Sequence, residues 1–527
     1  MYVRLARRLP SYLRERDSLA GGRDLLADRL RHRARNFLAL AESSIYGYAA
    51  SPYLPLLRAA GCELGDLRRQ VTADGLEATL GRLRAAGVYI RFEESKGREP
   101  IARGGLSYPV APEDFDNPLR HRHLESRTSG STGARTRNPI DLDYLAAQSP
   151  VRMAIQEAQG LRRWPRATVR GGLPESSAFG GGLDAPRQGV LVERWFTPVL
   201  DPPRRPELRF RLAHRFVAAV ARLAGNPLPR PEPLRMGDAV VVARWAAETT
   251  RREGGAVVDC TPSMALRICL AARDAGIGLA GTVFRAAGEP MTEAKMAGIE
   301  AAGARAVVDF PMSGLAGVGA GCTRPSGVND QHLRTDHLAV VQWPRQVAGR
   351  EVDALLLTTL LPNVPRVLLN VESDDYGVLE ERACGCPLYE LGLGTHVRDV
   401  RSFKKLTAEG VSLVGSEMER VLESDLPARF GGSALDYQLA EEEDERGFTR
   451  VWIHVSPELG AIDEAAVVAT VLGSLERASI SADLAVRLWN QADAIGVRRV
   501  APMLGGRGKL LPLHFARRHA GAKEAAR

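Results

Sequence analysis

Lysine is scarce in this chain. Only Lys96, Lys295, Lys404, Lys405, Lys509 and Lys523 occur among 71 basic residues, and the rest are arginines. The net charge of +8 is scattered along the sequence, with no basic stripe interleaved with aromatics, which argues against a nucleic-acid partner. Aromatic residues make up only 6%. The six cysteines are too few for a disulfide framework in a chain of this length. No apolar run reaches the roughly 18 residues that a membrane span needs. The basic start Met1–Arg8 lacks an apolar core of signal-peptide length. A cytoplasmic location, with no membrane or nucleic-acid partner, is therefore expected. A positive cleft would suit an anionic small molecule such as a nucleotide or CoA.

What is present is ordinary globular composition, 45% apolar and 25% charged over 527 residues, long enough for two or three domains. Residues 1–115 read mainly as helix, with helical apolar spacing through Leu25–Leu40 and Leu76–Val88. Asp141–Gly160 reads as a helix, and the run from Ala167 to Arg170 as a strand. The Pro-rich stretches 198–206 and 227–234 read as loops. From residue 238 strands and helices alternate. Val240–Ala243, Ala256–Asp259, Val283–Ala287 and Ala306–Phe310 read as strands, and Pro262–Ala275 and Thr292–Ala302 as helices. Such alternation predicts a mainly parallel sheet covered on both faces by helices. Ligands in such sheets bind past the carboxyl ends of the strands, here the loops at 260–263, 287–290 and 311–317. Val352–Leu361 and Arg366–Val371 read as strands of an antiparallel part. Beyond about residue 400 the pattern becomes that of a compact α+β unit, with strands at Thr449–Val455 and Ile495–Val500 and a helix over Ile462–Ala478.

One stretch stands out for chemistry, the loop from Arg127 to Arg135. Six small residues, Thr128, Ser129, Gly130, Ser131, Thr132 and Gly133, leave the backbone free to curl, and successive amides and hydroxyls can hold an anion. The same composition suits a flexible turn, and no lysine follows the second glycine as a P-loop requires. His121 and His123 just before it read as exposed polar loop residues.

Further motifs follow in order: Thr261-Pro-Ser-Met-Ala-Leu266, Ala287-Gly-Glu-Pro-Met-Thr-Glu293, Cys322, His332 through Asp336-His337, and Cys384-Gly-Cys386. With the small-residue loop, this series resembles the adenylate-forming superfamily of acyl-CoA synthetases, in its phenylacetate-CoA ligase-like branch, over roughly residues 120 to 425. The resemblance implies an α/β fold: a large domain over 1–400 with mainly parallel sheets plus an antiparallel part, and a small mobile α+β domain over 401–527. It implies an ATP-dependent ligase that activates a small carboxylic acid, aromatic in the first instance, as acyl-adenylate and passes it to a thiol, most simply that of CoA. An amine or carrier-protein acceptor, or a degenerate homologue that binds without catalysis, are the rival expectations. A homodimer is compatible with any of them.

The resemblance also assigns roles. Thr128–Gly133 would grip the ATP phosphates, Gly288, Glu289 and Pro290 would line the adenine site, and Asp375, with Asp374 as the next choice, would hold the ribose. Ser313 and Lys509 would be catalytic, and Arg401 would mark the hinge. Gly314 departs from the family, where an acidic residue helps hold Mg²⁺, which leaves the ligands of Mg²⁺ open. Cys322, His332, Cys384 and Cys386 form an expected structural zinc site, with His337 the competing ligand. Four S/N donors suit a closed tetrahedral zinc with no position left for chemistry.

Overall fold

The computed structural model describes residues 2–121, 123–127, 137–171, 182–198, 208–312, 314–347, 350–402, 405–408, 411–414, 421–433, 436–444, 446–478, 489, 492–502 and 513–515. The first 115 residues are mostly helical, as expected, and close with a short hairpin of β1 (Ile101–Arg103) and β2 (Leu106–Tyr108). A second hairpin pairs β3 (Leu124–Arg127) with β4 (Arg137–Ile140).

The central sheet has six strands: β5 (Arg166–Val169), β6 (Val192–Pro198), β7 (Pro231–Leu234), β8 (Ala256–Cys260), β9 (Thr282–Ala286) and β10 (Arg305–Val308). They lie in the order β10-β9-β8-β5-β6-β7, and every pairing is parallel. A parallel sheet must be covered on both faces, and the burial pattern shows it. Val169, Phe196, Val258 and Phe284 face a core shared with Val242, Trp245, Ile268 and Ile299 from the crossover helices. On the opposite face Val257, Val283 and Val307 pack with Leu161. Two residues on from each of those valines, on the same face, stand Asp259, Arg285 and Asp309. Arg285 pairs with Asp309 at 2.9 Å, and Asp259 with Arg166 at 3.5 Å. Asp309 also accepts from Gln159 Nε2 and from the Gly321 amide, both at 3.0 Å. This ladder ties the carboxyl edge of the parallel sheet to the start of the next one.

That next sheet is antiparallel: β11 (Gly319–Gly321), β12 (Gln331–Leu333), β13 (Leu338–Val347), β14 (Arg350–Thr359), β15 (Val371–Glu381) and β16 (Thr395–Ser402), in the order β11-β12-β16-β15-β14-β13. The N-terminal helices pack against it and the segment behind β14 through Phe37, Leu57, Leu80, Leu361 and Val364. After a small hairpin, β17 (Lys405–Ala408) with β18 (Val411–Val414), comes a mixed sheet with its own core. Its strands β19 (Tyr437–Glu443), β20 (Thr449–Val455), β21 (Ile495–Arg499) and β22 (Leu513–Phe515) lie in the order β21-β20-β19-β22, and its core includes Leu439, Ile453, Val467 and Val471.

Two expected strands are absent. Val240–Ala243 begins a helix, Val240–Glu253, whose buried residues Val242, Ala243, Trp245, Ala246 and Thr249 repeat every three to four positions. A four-residue window rich in valine hides that longer period. Residues 366–370 form no strand ahead of β15. Asn370 adopts φ 50° and its side-chain amide donates to the carbonyls of Leu80 at 2.8 Å and Val88 at 3.1 Å, so the segment bonds to the helical layer instead of extending a ladder. The Pro-rich stretch 227–234, expected as loop, supplies edge strand β7, where proline's missing N–H is tolerated.

Just after β12 the fully buried Asp336 pairs with Arg334 at 2.7 Å and lies 3.6 Å from Arg29. Burial alone would raise the Asp336 carboxyl, but the Arg334 guanidinium outweighs it and holds the group far below the usual carboxylate range. A depressed folded pKa contributes stability that is present above the unfolded value of about 3.9 and is lost as pH falls below it. Asp336→Asn should therefore cost about 3–5 kcal/mol at neutral pH, because two arginines stay buried without their carboxylate. Its penalty should shrink as urea titrations move from pH 7 towards pH 3. An equal penalty at both ends would show that Asp336 is not the ionised centre of this cluster.

Candidate functional site at the carboxyl edge of the parallel sheet

Strands β5, β8, β9 and β10 all end on one edge, and the sheet bonding runs slightly past them. The Ala287 amide donates to the Cys260 carbonyl at 3.1 Å, and the Asp309 amide to the Ala286 carbonyl at 2.9 Å. After β8, Thr261 caps the helix Pro262–Asp274, its hydroxyl accepting from the Met264 amide. After β9 comes the turn of Gly288, Glu289 and Pro290. Gly288 sits at φ 102°, a conformation that side chains other than glycine's rarely adopt.

Glu289 is buried, and its carboxylate accepts from the Ser263 amide, placing a negative charge at the positive end of that helix. Lys295 Nζ lies 3.9 Å from the same carboxylate. The Glu289 side chain is thus turned into the protein, and the turn offers a ligand its backbone. Asn329 then clamps Met291 on both its amide and its carbonyl. The tip of the β19–β20 hairpin reaches the same place: Thr292 donates to Glu443 at 2.6 Å, and Lys295 to the Thr449 hydroxyl at 3.2 Å.

Two residues at this edge escape a reading of the sequence. Lys295 is fully buried, and the rarity of lysine is the one signal that could mark it. Arg170 follows β5 and donates to the carbonyls of Cys260 at 3.2 Å and Ala287 at 3.5 Å. It lines a cavity with Thr168, Val192, Trp195 and Leu228. Nothing in the sequence around it distinguishes this arginine from the many others.

Asp375 lies in β15 directly opposite Ser402 of β16, whose hydroxyl donates to its carboxylate. Arg401 stands one position before, opposite Tyr376. Arg401 thus lies within β16, which ends at Ser402, and β17 begins at Lys405. Gly314 has φ 84°, so an acidic side chain there would strain the backbone. The Thr128–Gly133 loop, Ser313 and Lys509 lie outside the described residues, but the β3–β4 hairpin that carries the loop is described. Its base is held by Asp141, which caps the helix Leu142–Ala158 and pairs with Arg120 at 2.7 Å. The neighbouring His123 is buried, contrary to the exposed loop reading, because its Nδ1 meets the Leu142 amide at 3.3 Å; His121 is exposed.

At the β11–β12 end of the antiparallel sheet, Cys322, His332, Cys384 and Cys386 converge, with their ligand atoms all within 4.8 Å of one another. His332 Nε2 lies 3.0 Å from Cys386 Sγ and 3.6 Å from Cys384 Sγ, while its Nδ1 meets the Leu393 carbonyl at 2.5 Å. That second contact fixes the ring with Nε2 free to accept, the arrangement a metal-bound histidine needs. Burial, with His396 beside it, lowers His332 to about 4, keeping the imidazole neutral. Burial pushes Cys322 up to about 12. Burial also raises Cys386, but hydrogen bonds from the amides of Tyr389, Leu388 and Thr323 and from Cys384 outweigh it, and its net direction is down. Gly385, at φ 63°, makes the turn that brings both thiols to one point. His337 is not part of the group; it packs against Asp336 at 3.2 Å.

The doubly covered parallel sheet, the antiparallel sheet and the terminal mixed sheet together make the fold of the adenylate-forming enzymes. A crystal structure of 2-hydroxyisobutyryl-CoA ligase in complex with 2-HIB-AMP and CoA, in the thioesterification state, is similar over 95% of this chain and 91% of that one, at 15% identity and a TM-score of 0.55. The same ligase in its postadenylation state is similar over 93% and 89%, at 15% identity and a TM-score of 0.47. A mutant of the amide bond synthetase from Marinactinospora thermotolerans covers 91% and 92%, at 13% identity and a TM-score of 0.40. No family model and no curated protein sequence matches the chain. None of the described helices is long and apolar enough to cross a membrane.

Proposed function

We propose that this chain is an AMP-forming acid–thiol ligase of the phenylacetate-CoA ligase-like kind. In the first step an oxygen of the substrate carboxylate attacks the α-phosphorus of ATP, and pyrophosphate leaves. In the second a thiolate, that of CoA, attacks the acyl carbon of the adenylate, and AMP leaves. The observation that carries this reading is the convergence of the Thr261 cap, the Gly288–Pro290 turn and Arg170 on one carboxyl edge, where a doubly wound sheet binds its ligand. The similarity to a ligase structure holding an acyl-adenylate and CoA supports the same pair of steps.

In this reading residues 1–400 form the adenylation domain and residues 401–527 the mobile one. Thr128–Gly133 holds the phosphates, the 288–290 turn borders the adenine, Asp375 accepts the ribose hydroxyls, and Arg401 sits at the hinge. Ser313 contacts the reacting phosphate, and Lys509 neutralises charge on it. Arg170 adds a cation where the acid's carboxylate arrives. Gly314 carries no carboxylate, and its backbone disfavours any side chain that could, so position 314 supplies no Mg²⁺ ligand. The donor set of Cys322, His332, Cys384 and Cys386 fits zinc, which would support the fold with no coordination position left open for chemistry.

ATP–pyrophosphate exchange across a panel of small aromatic and aliphatic acids tests the first step without assuming an acceptor. Exchange with at least one acid is expected, followed by thioester formation when CoA is added. Exchange that yields product only with an amine or a carrier protein would move the acceptor. Tight binding of ATP with no exchange for any acid would overturn the catalytic reading.

A further inference from the structure

The helix Leu208–Leu223 presents three different faces. At about 100° per residue, Val217 and Ala221 share the inner face and are buried with Leu5, Leu9, Tyr12 and Leu13 of the N-terminal helix. Arg211, Arg215 and Arg222 fall within about 40° of one another and are exposed. The adjoining arc carries Leu212, Phe216 and Leu223, which are 54%, 40% and 84% exposed. The N-terminal helix Tyr2–Arg14 rests on the same core and exposes Arg4, Arg7 and Arg14 on its own outer side.

Charge pairing on this surface is lopsided. Arg8 binds Glu15 and Asp143, whereas Arg4, Arg7, Arg14, Arg211, Arg215 and Arg222 form no ion pair among the described residues. Arg211, Arg215 and Arg222 thus face solvent beside a row of exposed leucine and phenylalanine on the same helix, and Arg4, Arg7 and Arg14 face solvent on the helix that shares its core. Their positions are far apart in sequence, and only folding groups them.

We propose that this two-helix face docks on an anionic phospholipid surface, with Leu212, Phe216 and Leu223 entering the headgroup boundary and the arginines meeting lipid phosphates. A helix lying in a bilayer interface needs this combination: an apolar arc that leaves water and cations that reach back to the headgroups. The expectation of no membrane partner rests on the lack of a spanning segment, and peripheral docking of this kind needs none. The other anionic or apolar partners fit less well. A second copy of the chain would set arginines against arginines, and a nucleic acid would leave the apolar arc uncovered. From its inner side the same helix reaches the candidate site, where His214 stands over Trp195 with ring centroids 5.5 Å apart.

The test uses the full chain and vesicle co-sedimentation, so it stands apart from any ligase activity. Vesicles of phosphatidylcholine alone are compared with vesicles containing about three parts in ten phosphatidylglycerol, a lipid bearing the negative charge that draws such arginines. At least a tenfold gain in binding to the anionic vesicles is expected, falling steeply at high salt as screening shortens the attraction. Phe216→Ser with Leu223→Ser, and separately Arg211→Glu with Arg215→Glu, should each return binding to the neutral-vesicle level with an unchanged melting midpoint, since all four side chains are exposed. Equal binding to both vesicles, or anionic binding that survives both double variants, would overturn the proposal. A dimer seen by sedimentation velocity and lost in the Phe216/Leu223 variant, without lipid binding, would assign the face to a second copy instead.

Discussion

Lys509→Ala is expected to lower ATP–pyrophosphate exchange by about 100- to 1,000-fold, the range lost when one preorganised charge-stabilising group is removed from a transition state. Thioester formation from supplied acyl-adenylate and CoA should change by less than about threefold, because the small domain that would place Lys509 over the phosphates must turn away to open the channel for the thiol. The contrast between half-reactions separates a catalytic lysine from one that merely supports the fold, which would depress both together. The physical motive is scarcity as well as position: with so few lysines in the chain, one presented on the glycine-rich run from Gly505 to Lys509 is a poor candidate for an incidental surface charge. If both half-reactions fall alike, or neither falls, the role belongs to another residue.

Cys386→Ala is expected to release about one zinc per chain and to destabilise the protein by on the order of 5 kcal/mol, about half of what structural zinc supplies in small zinc-folded peptides. The effect should be large because the four donors join two separate segments, the β11–β12 region and the Cys384–Cys386 turn, whose surroundings hold Leu26, Ile155 and Leu388 in one core. Elemental analysis of protein purified without chelator gives the metal content, and urea unfolding gives the stability. Cys269→Ala serves as the control, since Cys269 is buried in the parallel-sheet core and should leave the metal in place. Protein that is fully folded and metal-free, with Cys384 and Cys386 readily alkylated, would rule the site out.

The alternation of short apolar runs with helical periods makes the doubly covered sheet legible from the chain alone, because burial on both faces demands near-continuous apolar strands such as Ala256–Cys260. The order of the small-residue loop and the Cys/His motifs likewise points to the fold class. Local patterning fails where a window is too short or a tertiary bond takes precedence. Val240–Ala243 belongs to a longer helical repeat, and the backbone at Asn370 is fixed by carbonyls of Leu80 and Val88, far away in sequence.

His123 shows the same limit, since its burial depends on the Leu142 amide and not on its polar neighbours. The types of the four cysteine and histidine donors are readable in the chain, but their convergence to within 4.8 Å requires the antiparallel sheet to bring distant segments together. Arg170 and Lys295 are invisible as site residues because a side chain's role at a sheet edge depends on which strands lie beside it. The sequence by itself determined the periodicities, the glycine positions and the residue chemistry, all of which are local properties of the chain. Only the tertiary structure decided which arginines are paired, which carboxylate meets which helix, and which arginines of the helices Tyr2–Arg14 and Leu208–Leu223 face solvent, because those depend on distances that folding alone creates.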